Sequence, residues 1–101
     1  MYSVVTTKHS DEDIFSAAKW YEERETGLGD KFIDDVEKLS EYLETNPRLF
    51  RQIFQDVHQA PLKKFPFVML YKIRDRIVII VAVFNCYQNP DKKLTSLKKQ
   101  K

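Results

Sequence analysis

The sequence predicts one α+β domain, in which a helical hairpin packs on a mainly antiparallel sheet of four strands. Two features of the 101 residues support this prediction. Residues 77–84 form an unbroken apolar run, which suits a strand buried on both faces, and a second strand-like run precedes it. Further upstream, two successive segments carry apolar residues at helical spacing. Because one helical hairpin cannot bury its own apolar stripes, we expect it to cover a face of the sheet.

The chain begins with a short β-prone run over residues 2–7, which predicts the first strand. A helix is expected next, with Ser10 as its N-cap, because a serine hydroxyl can accept a free backbone N–H and three acidic residues follow it. This helix should end near Gly27, since glycine suits the left-handed position after a helix. Its apolar positions follow an i, i+3, i+4, i+7 pattern: Ile14, Ala17, Ala18 and Tyr21.

A second helix is predicted between this stop and Asn46-Pro47, because proline disfavours a helical conformation in the residue before it. The acidic residues of this helix, including Asp34 and Asp35, are expected to face water and to support solubility and the helix itself. Its apolar positions recur every three or four residues: Leu28, Phe32, Val36, Leu39 and Leu43.

The second half of the chain is predicted to form three strands. Residues 50–57 are β-prone with weak alternation, and residues 58–61 are expected to be a connection. Residues 67–73 and 77–84 then form a hairpin around a three-residue polar turn, whose type stays open because it contains no glycine. The element order is therefore β-α-α-β-β-β in a single domain of residues 1–101. A basic tail from about residue 91 is expected to be either a short helix or an extension without regular structure.

The composition limits the classes to which the protein can belong. The single Cys86 excludes an intramolecular disulfide and fits a reducing compartment. The longest apolar run is far shorter than a membrane span, and the first residues lack a signal-peptide pattern, so we expect a soluble cytoplasmic protein. No cysteine or histidine has a metal-ligand spacing and no glycine-rich phosphate loop is present, so neither a metal nor a cofactor is predicted.

The formal net charge of +2 conceals a strong asymmetry along the chain. Residues 11–44 carry an excess of eight negative charges, and residues 45–101 carry an excess of nine positive charges. This division is consistent with two solvated surfaces, and equally with two surfaces that face different partners. The basic half also contains Tyr71 and Tyr87, and basic residues interleaved with aromatic ones can bind a nucleic acid backbone or an acidic protein.

Several short motifs, each weak alone, follow one another along nearly the whole chain. They are Asp13-Ile14-x-x-Ala17-x-x-Trp20-Tyr21, Gly27-Leu28-Gly29-Asp30-Lys31-Phe32, Asn46-Pro47, Leu62-Lys63-Lys64-Phe65-Pro66-Phe67, Tyr71, Ala82-Val83-Phe84 and Asn89-Pro90. In this order and at this spacing, they resemble the RelE/ParE superfamily of bacterial type II toxins, whose fold has the element order derived above. Within that superfamily, the sequence is most similar to the ParE-like "plasmid stabilisation" toxins.

The resemblance implies one of two activities, because RelE-like members cut mRNA on the ribosome and ParE-like members poison DNA gyrase. The RNA-cutting members usually carry an arginine two or three residues before Tyr71, where this chain has Val68 and Met69. They often carry histidine and arginine where this chain has Asn85 and Gln88. These departures remove the cations and the proton-transfer group that RNA cleavage needs. They favour a toxin that inhibits gyrase without catalysis of its own.

Three sets of candidate residues follow from the resemblance. The basic residues expected to contact the target are Arg51, Lys63, Lys64, Lys92 and Lys93. In the alternative, a ribosome-dependent mRNA endoribonuclease, the catalytic candidates are Lys63, Lys64, Tyr71 and Tyr87. The candidates for contact with a cognate antitoxin, in a toxin–antitoxin hetero-oligomer, are Trp20, Tyr21, Phe32 and Val36, each of which could equally be a core residue. A third possibility is a non-toxic protein that only binds the antitoxin.

Overall fold

The computed structural model describes residues 1–87, with two helices on one face of a five-stranded sheet. The elements are β1 (Ser3–Thr6), α1 (Lys8–Arg24), α2 (Leu28–Leu43), β2 (Gln52–Phe54), β3 (Val57–Pro61), β4 (Phe67–Arg74) and β5 (Ile77–Asn85). The predicted basic tail, with Lys92 and Lys93, lies outside the described residues, as does Gln88.

The strands are ordered β1-β5-β4-β3-β2, and all neighbours are antiparallel except β1 and β5, which are parallel. The predicted α+β class, with a helical hairpin on a mainly antiparallel sheet, is therefore confirmed. The predicted hairpin is also confirmed: β4 and β5 pair from Arg74 and Ile77 at the turn to Phe67 and Asn85 at the open end. Asp75 occupies the left-handed region at φ 54°, which an aspartate tolerates better than most residues.

The sheet contains five strands because the predicted strand over residues 50–57 and the predicted connection over residues 58–61 form a second hairpin instead. The chain reverses at Gln55, with φ of 46°, between β2 and β3. Pro61 can end the interior strand β3 because β2 is only three residues long and pairs no further along β3 than His58 and Gln59. Pro61 has no backbone N–H, and none is needed there for pairing with β2.

Helix α1 starts three residues earlier than predicted. Thr7, not Ser10, is the N-cap: the Ser10 N–H donates to Thr7 Oγ1 at 3.1 Å, and the Thr7 N–H donates to Ser10 Oγ at 3.0 Å. This reciprocal pair is a capping box, in which the serine occupies the third helical position and is fully buried. The expected N-cap at Ser10 was wrong. Thr7 and Ser10 are both suitable N-cap residues, and the helix begins after Thr7 because β1 ends at Thr6.

The core has two parts, one on each face of the sheet, as the alternation along β4 requires. In β5 a register shift opposite Leu70 and Tyr71 interrupts the alternation, so Val81 and Ala82 lie in the same part of the core. The face toward the helices buries Phe32, Val36, Leu43, Ala60, Leu62, Phe67, Met69, Tyr71, Val78, Ile80 and Val83. The opposite face buries Val57, Val68, Leu70, Val81, Ala82 and Phe84. Strand β5 lies between β1 and β4 and contributes to both parts, so the prediction of a strand buried on both faces is confirmed.

Candidate functional site

A groove of about 690 Å³ runs between α1 and the last residues of β5. Its α1 wall includes Trp20 and Tyr21, and Tyr87 lines it where β5 ends. The apolar residues of α1 are only half-buried, in contrast to those of α2. The pairing of β1 with β5 ends at Thr6 and Ile80, so residues 82–85 pair only with β4 within the described chain. A partly covered helix therefore lies beside an open strand edge.

Trp20 is the most prominent apolar side chain of this groove. Half of its surface is exposed, its ring contacts Tyr21 edge to face at 5.2 Å, and the Arg24 guanidinium lies 4.0 Å from its ring centre. Tyr21 reaches inward and stacks on Phe32 at 5.6 Å. The two aromatic side chains thus connect the groove surface to the core.

Asp13 closes part of the open edge of β5. Its Oδ2 accepts the Val83 N–H at 3.0 Å, and His9 Nε2 lies 3.5 Å from the same oxygen. A helix carboxylate thus takes the place that a neighbouring strand would occupy. Burial raises the pKa of the Asp13 carboxyl above its ordinary value of 3.8, although the hydrogen bond from Val83 and the nearby His9 act in the opposite direction.

The raised pKa of Asp13 predicts a pH dependence of stability. A raised folded-state pKa means that the fold favours the protonated carboxyl. The contribution of Asp13 to the free energy of unfolding is therefore present at low pH and is lost as the pH rises through the folded-state pKa. Asp13→Asn has no such proton to lose. The free energy of unfolding of Asp13→Asn minus that of the wild type should therefore increase from about pH 3 to about pH 6. Urea unfolding at a series of pH values measures this difference, and a flat or falling curve would contradict the prediction.

The four candidates for antitoxin contact divide into two pairs. Trp20 and Tyr21 line the groove, as expected of surface contacts. Phe32 is fully buried and Val36 is 6% exposed, so both are core residues in this structure. Their side chains face the sheet because α2 packs its apolar stripe directly on it. Contact of Phe32 and Val36 with an antitoxin stays a prediction.

The candidate target contacts Lys63 and Lys64 are exposed in the connection between β3 and β4. Antiparallel pairing brings the start of β2, where Arg51 is exposed, to the same end of the sheet. Tyr87, 86% exposed, follows β5 at this end as well. The fold thus brings four of the predicted site residues to one end of the sheet.

Asp35 lies beneath this lysine-bearing connection, and its expected exposure to water was wrong. Its carboxylate accepts the backbone N–H groups of Lys63 at 3.3 Å, Lys64 at 2.8 Å and Phe65 at 3.1 Å, and the residue is only 4% exposed. Position 35 lies three residues after Phe32 and four before Leu39, which places it on the apolar side of α2. That register was the signal by which the sequence could have revealed its burial.

Tyr71, a catalytic candidate of the ribonuclease alternative, is not at the surface. It is fully buried, its hydroxyl donates to the Pro47 carbonyl oxygen at 2.6 Å, and its ring stacks on His58 at 5.2 Å. Burial raises its pKa to about 12. In this structure the phenol is enclosed and its hydroxyl already has an acceptor, so it is not presented to a substrate at the surface. The structure therefore places this catalytic candidate in the core, because β4 points its side chain toward the helices.

We expect Tyr71→Phe to lower the free energy of unfolding by about 1–3 kcal/mol, because the buried Pro47 carbonyl loses its donor. Its biological activity per folded molecule should equal that of the wild type. Chemical denaturation measures the first quantity, and dose-matched growth assays in bacteria measure the second. A variant that is fully stable but inactive would instead indicate a direct role for the hydroxyl group.

Residues 1–87 contain no group of three or more histidine, cysteine, aspartate or glutamate side chains arranged to hold a metal ion. Within the same residues, neither helix is long and apolar enough to cross a membrane.

Comparisons with known proteins agree with this architecture. The chain is similar to a chain of the chromosomal ParDE TA system from P. aeruginosa, with a TM-score of 0.72 and 16% identity, over 84% of this chain and 96% of that one. It is also similar to the isolated E. coli RelE toxin, with a TM-score of 0.63 and 12% identity, over 98% and 99% of the two chains. These likenesses show the fold, and no curated protein matches the sequence.

The family assignment comes from the sequence itself. The family model described as the ParE toxin of type II toxin-antitoxin system, parDE, matches residues 4–90, which is most of the chain. The chain therefore belongs to the ParE family of type II toxins.

Proposed function

We propose that this toxin inhibits DNA gyrase by binding, without catalysis of its own, and is neutralised by a cognate antitoxin. The observation that supports this proposal is the burial of Tyr71, which removes one of the two tyrosine candidates of the ribonuclease alternative from the surface. Metal-free RNA cleavage needs a base, an acid and cations around the phosphate. By the resemblance to the mRNA-cutting toxins, Val68 and Asn85 stand where those relatives carry such groups, and a binding toxin needs none of them.

The basic end of the sheet supplies the target-binding surface in this proposal. Lys63 and Lys64 are exposed, Arg51 is exposed at the same end, and no ion pair within residues 1–87 involves these three side chains. Cations that are not neutralised inside their own chain remain available for carboxylates or phosphates of a partner. Lys92 and Lys93, the other two candidate target contacts, lie outside the described residues.

The groove along α1 is the proposed antitoxin site. Its walls are apolar and aromatic where Trp20 and Tyr21 lie, and the acidic surface of α1 borders it. An antitoxin segment that folds on contact would bury this half-covered face and offset its own ordering entropy by doing so. The groove extends to Pro66 at the end of the lysine-bearing connection, so the proposal assigns antitoxin and target to adjacent surfaces, with the antitoxin on the α1 side and the target at Lys63 and Lys64.

We expect Trp20→Ala to weaken antitoxin binding by about thirtyfold or more, because a half-exposed tryptophan in a groove has the properties of an interface hot spot. Phe15→Ala is the matched control, since Phe15 is 74% exposed on α1 and does not line the groove. Titration calorimetry with the cognate antitoxin measures both affinities. Equal affinities for Trp20→Ala, Phe15→Ala and the wild type would remove the groove from the antitoxin site.

The proposed target is tested by comparing two reactions of the purified protein. Supercoiling of plasmid DNA by gyrase should be inhibited, and ribosomes translating a defined mRNA should leave that mRNA intact. In bacteria, controlled expression with pulse labelling should stop DNA synthesis before protein synthesis. Cleavage of mRNA on ribosomes, with unchanged supercoiling, would establish the ribonuclease alternative. Normal growth at high expression would indicate the non-toxic antitoxin-binding protein.

A further inference from the structure

Asp35 has an unusual environment for a charged side chain. It and Ser10 are the buried polar or charged residues of the described chain, and Asp35 is 4% exposed. A buried carboxylate is strongly unfavourable unless hydrogen bonds replace the water that it loses. Here three backbone N–H groups replace that water, and no ion pair within residues 1–87 involves Asp35. The carboxylate is therefore held entirely by the backbone of the β3–β4 connection.

The three donors come from consecutive residues, so the backbone of the connection must turn its N–H groups toward α2. Lys63, Lys64 and Phe65 all do so, with distances of 2.8–3.3 Å to the two carboxylate oxygens. The side chains then separate by environment: both lysines are exposed, whereas Phe65 packs edge to face on Phe32 at 5.3 Å. The carboxylate thus determines which way the connection presents its two cations.

The two ends of the connection are also fixed. The Leu62 N–H donates to the Phe67 carbonyl oxygen at 2.9 Å, and the Cys86 N–H donates to the Pro66 carbonyl oxygen at 2.7 Å. Residues 63 to 65 remain between these anchors, and their backbone donors bind Asp35. Without that acceptor, these residues would retain fixed ends but lose their common orientation.

We propose that Asp35 is a positioning residue for target binding, which holds the β3–β4 connection so that Lys63 and Lys64 face the target together. The inference rests on the proposed function, in which these two lysines contact the target. A connection that is already ordered before binding loses less conformational entropy on contact than a mobile one. Asp35 therefore affects target binding through the backbone of the β3–β4 connection and does not contact the target itself.

The test uses Asp35→Asn, with Asp34→Asn as the matched control. Asp34 is the neighbouring acid on α2, is 56% exposed at its side chain, and forms an ion pair with Lys38 at 3.1 Å. Both variants lose one negative charge, but only Asp35→Asn changes the acceptor of the connection. The readouts are growth arrest at matched levels of folded toxin, amide hydrogen exchange at residues 63–65, and antitoxin affinity.

We expect Asp35→Asn to require about tenfold more toxin for the same growth arrest, since one amide oxygen replaces two carboxylate oxygens. Amide exchange should accelerate at residues 63–65, antitoxin affinity should stay at the wild-type value, and Asp34→Asn should behave as the wild type. Accelerated exchange with undiminished growth arrest would overturn the proposal. A parallel loss of antitoxin affinity would also overturn it, because it would indicate a general defect of the fold.

Asp35→Glu provides the second variant if Asp35→Asn does not fold. It keeps the charge and both acceptor oxygens but moves them by one methylene group. We expect the amide resonances of residues 63–65 to shift and growth arrest to weaken, and shifted resonances with full growth arrest would overturn the proposal.

Growth arrest does not depend on which target is bound, so these variants test Asp35 separately from gyrase. A wild type that arrests growth without inhibiting supercoiling refutes the gyrase assignment alone. A wild type that does not arrest growth refutes target contact by the lysines and the positioning role with it.

Discussion

Lys63→Glu combined with Lys64→Glu should abolish growth arrest while leaving the fold intact. Both side chains are exposed and form no ion pair within residues 1–87, so the protein itself gains little from their positive charge. A charged hydrogen bond to a partner contributes about 1.5–3 kcal/mol, so loss of both contacts corresponds to a reduction of target affinity of about a hundredfold or more. Repulsion from acidic or phosphate groups of the target adds to this loss.

The matched control is Lys19→Glu combined with Lys31→Glu, which makes the same charge change at exposed positions of α1 and α2. We expect this control to arrest growth as the wild type does. Thermal unfolding should place both double variants within about 0.5 kcal/mol of the wild type, as is usual for surface substitutions. Growth arrest retained by the Lys63 and Lys64 double variant would show that the target is bound elsewhere on the protein.

Phe32→Ala should produce the largest loss of stability of any substitution considered for this protein. Phe32 is fully buried and its ring lies within 4.9–5.6 Å of the ring centres of Tyr21, Phe65 and Phe67. Removal of the ring leaves a cavity where α2 meets the sheet, and truncations of buried phenylalanine to alanine cost about 3–5 kcal/mol. For a domain of about 100 residues, this loss corresponds to a fall of the unfolding midpoint by more than about 10 °C.

Phe15→Ala removes the same atoms from a ring that is 74% exposed, so its unfolding midpoint should stay close to that of the wild type. The comparison also distinguishes the two interpretations of Phe32 as core residue and as antitoxin contact. If Phe32 acts only as a core residue, Phe32→Ala weakens antitoxin binding only in proportion to the fraction of the protein that is unfolded. A stable Phe32→Ala protein with impaired antitoxin binding would favour direct contact.

Local patterns in the sequence predicted most of the secondary structure. The apolar positions from Leu28 to Leu43 have the spacing of one helix face, and α2 spans these same residues. The hairpin of β4 and β5 followed from two strand-like runs around a short polar turn. Helical periodicity and turn length depend on neighbours within a few residues, so a single sequence contains the necessary information. The motifs of the ParE family added the function class on the same local basis.

The sequence could not predict which polar groups the fold would bring together. Asp35 binds backbone groups that follow it by 28 to 30 residues, and Tyr71 donates to a carbonyl group that precedes it by 24 residues. Read locally, Asp35 is one of several acids on a soluble helix, and Tyr71 is a tyrosine among basic residues. The spacing within α2 places Asp35 on the apolar side of the helix, but the partners of Asp35 and Tyr71 depend on how α2 and β4 pack against distant parts of the chain.

The same distinction applies to the surfaces of the protein. Sequence alone determined that the chain has an acidic half and a basic half, two amphipathic helices and a hairpin whose second strand is buried. Only the tertiary structure decided that β1 stops short of the end of β5, that Asp13 occupies the open edge, and that Trp20 is left half-exposed beside it. The reason is physical: periodicity determines which side of an element is apolar, whereas exposure depends on what the neighbouring elements leave uncovered.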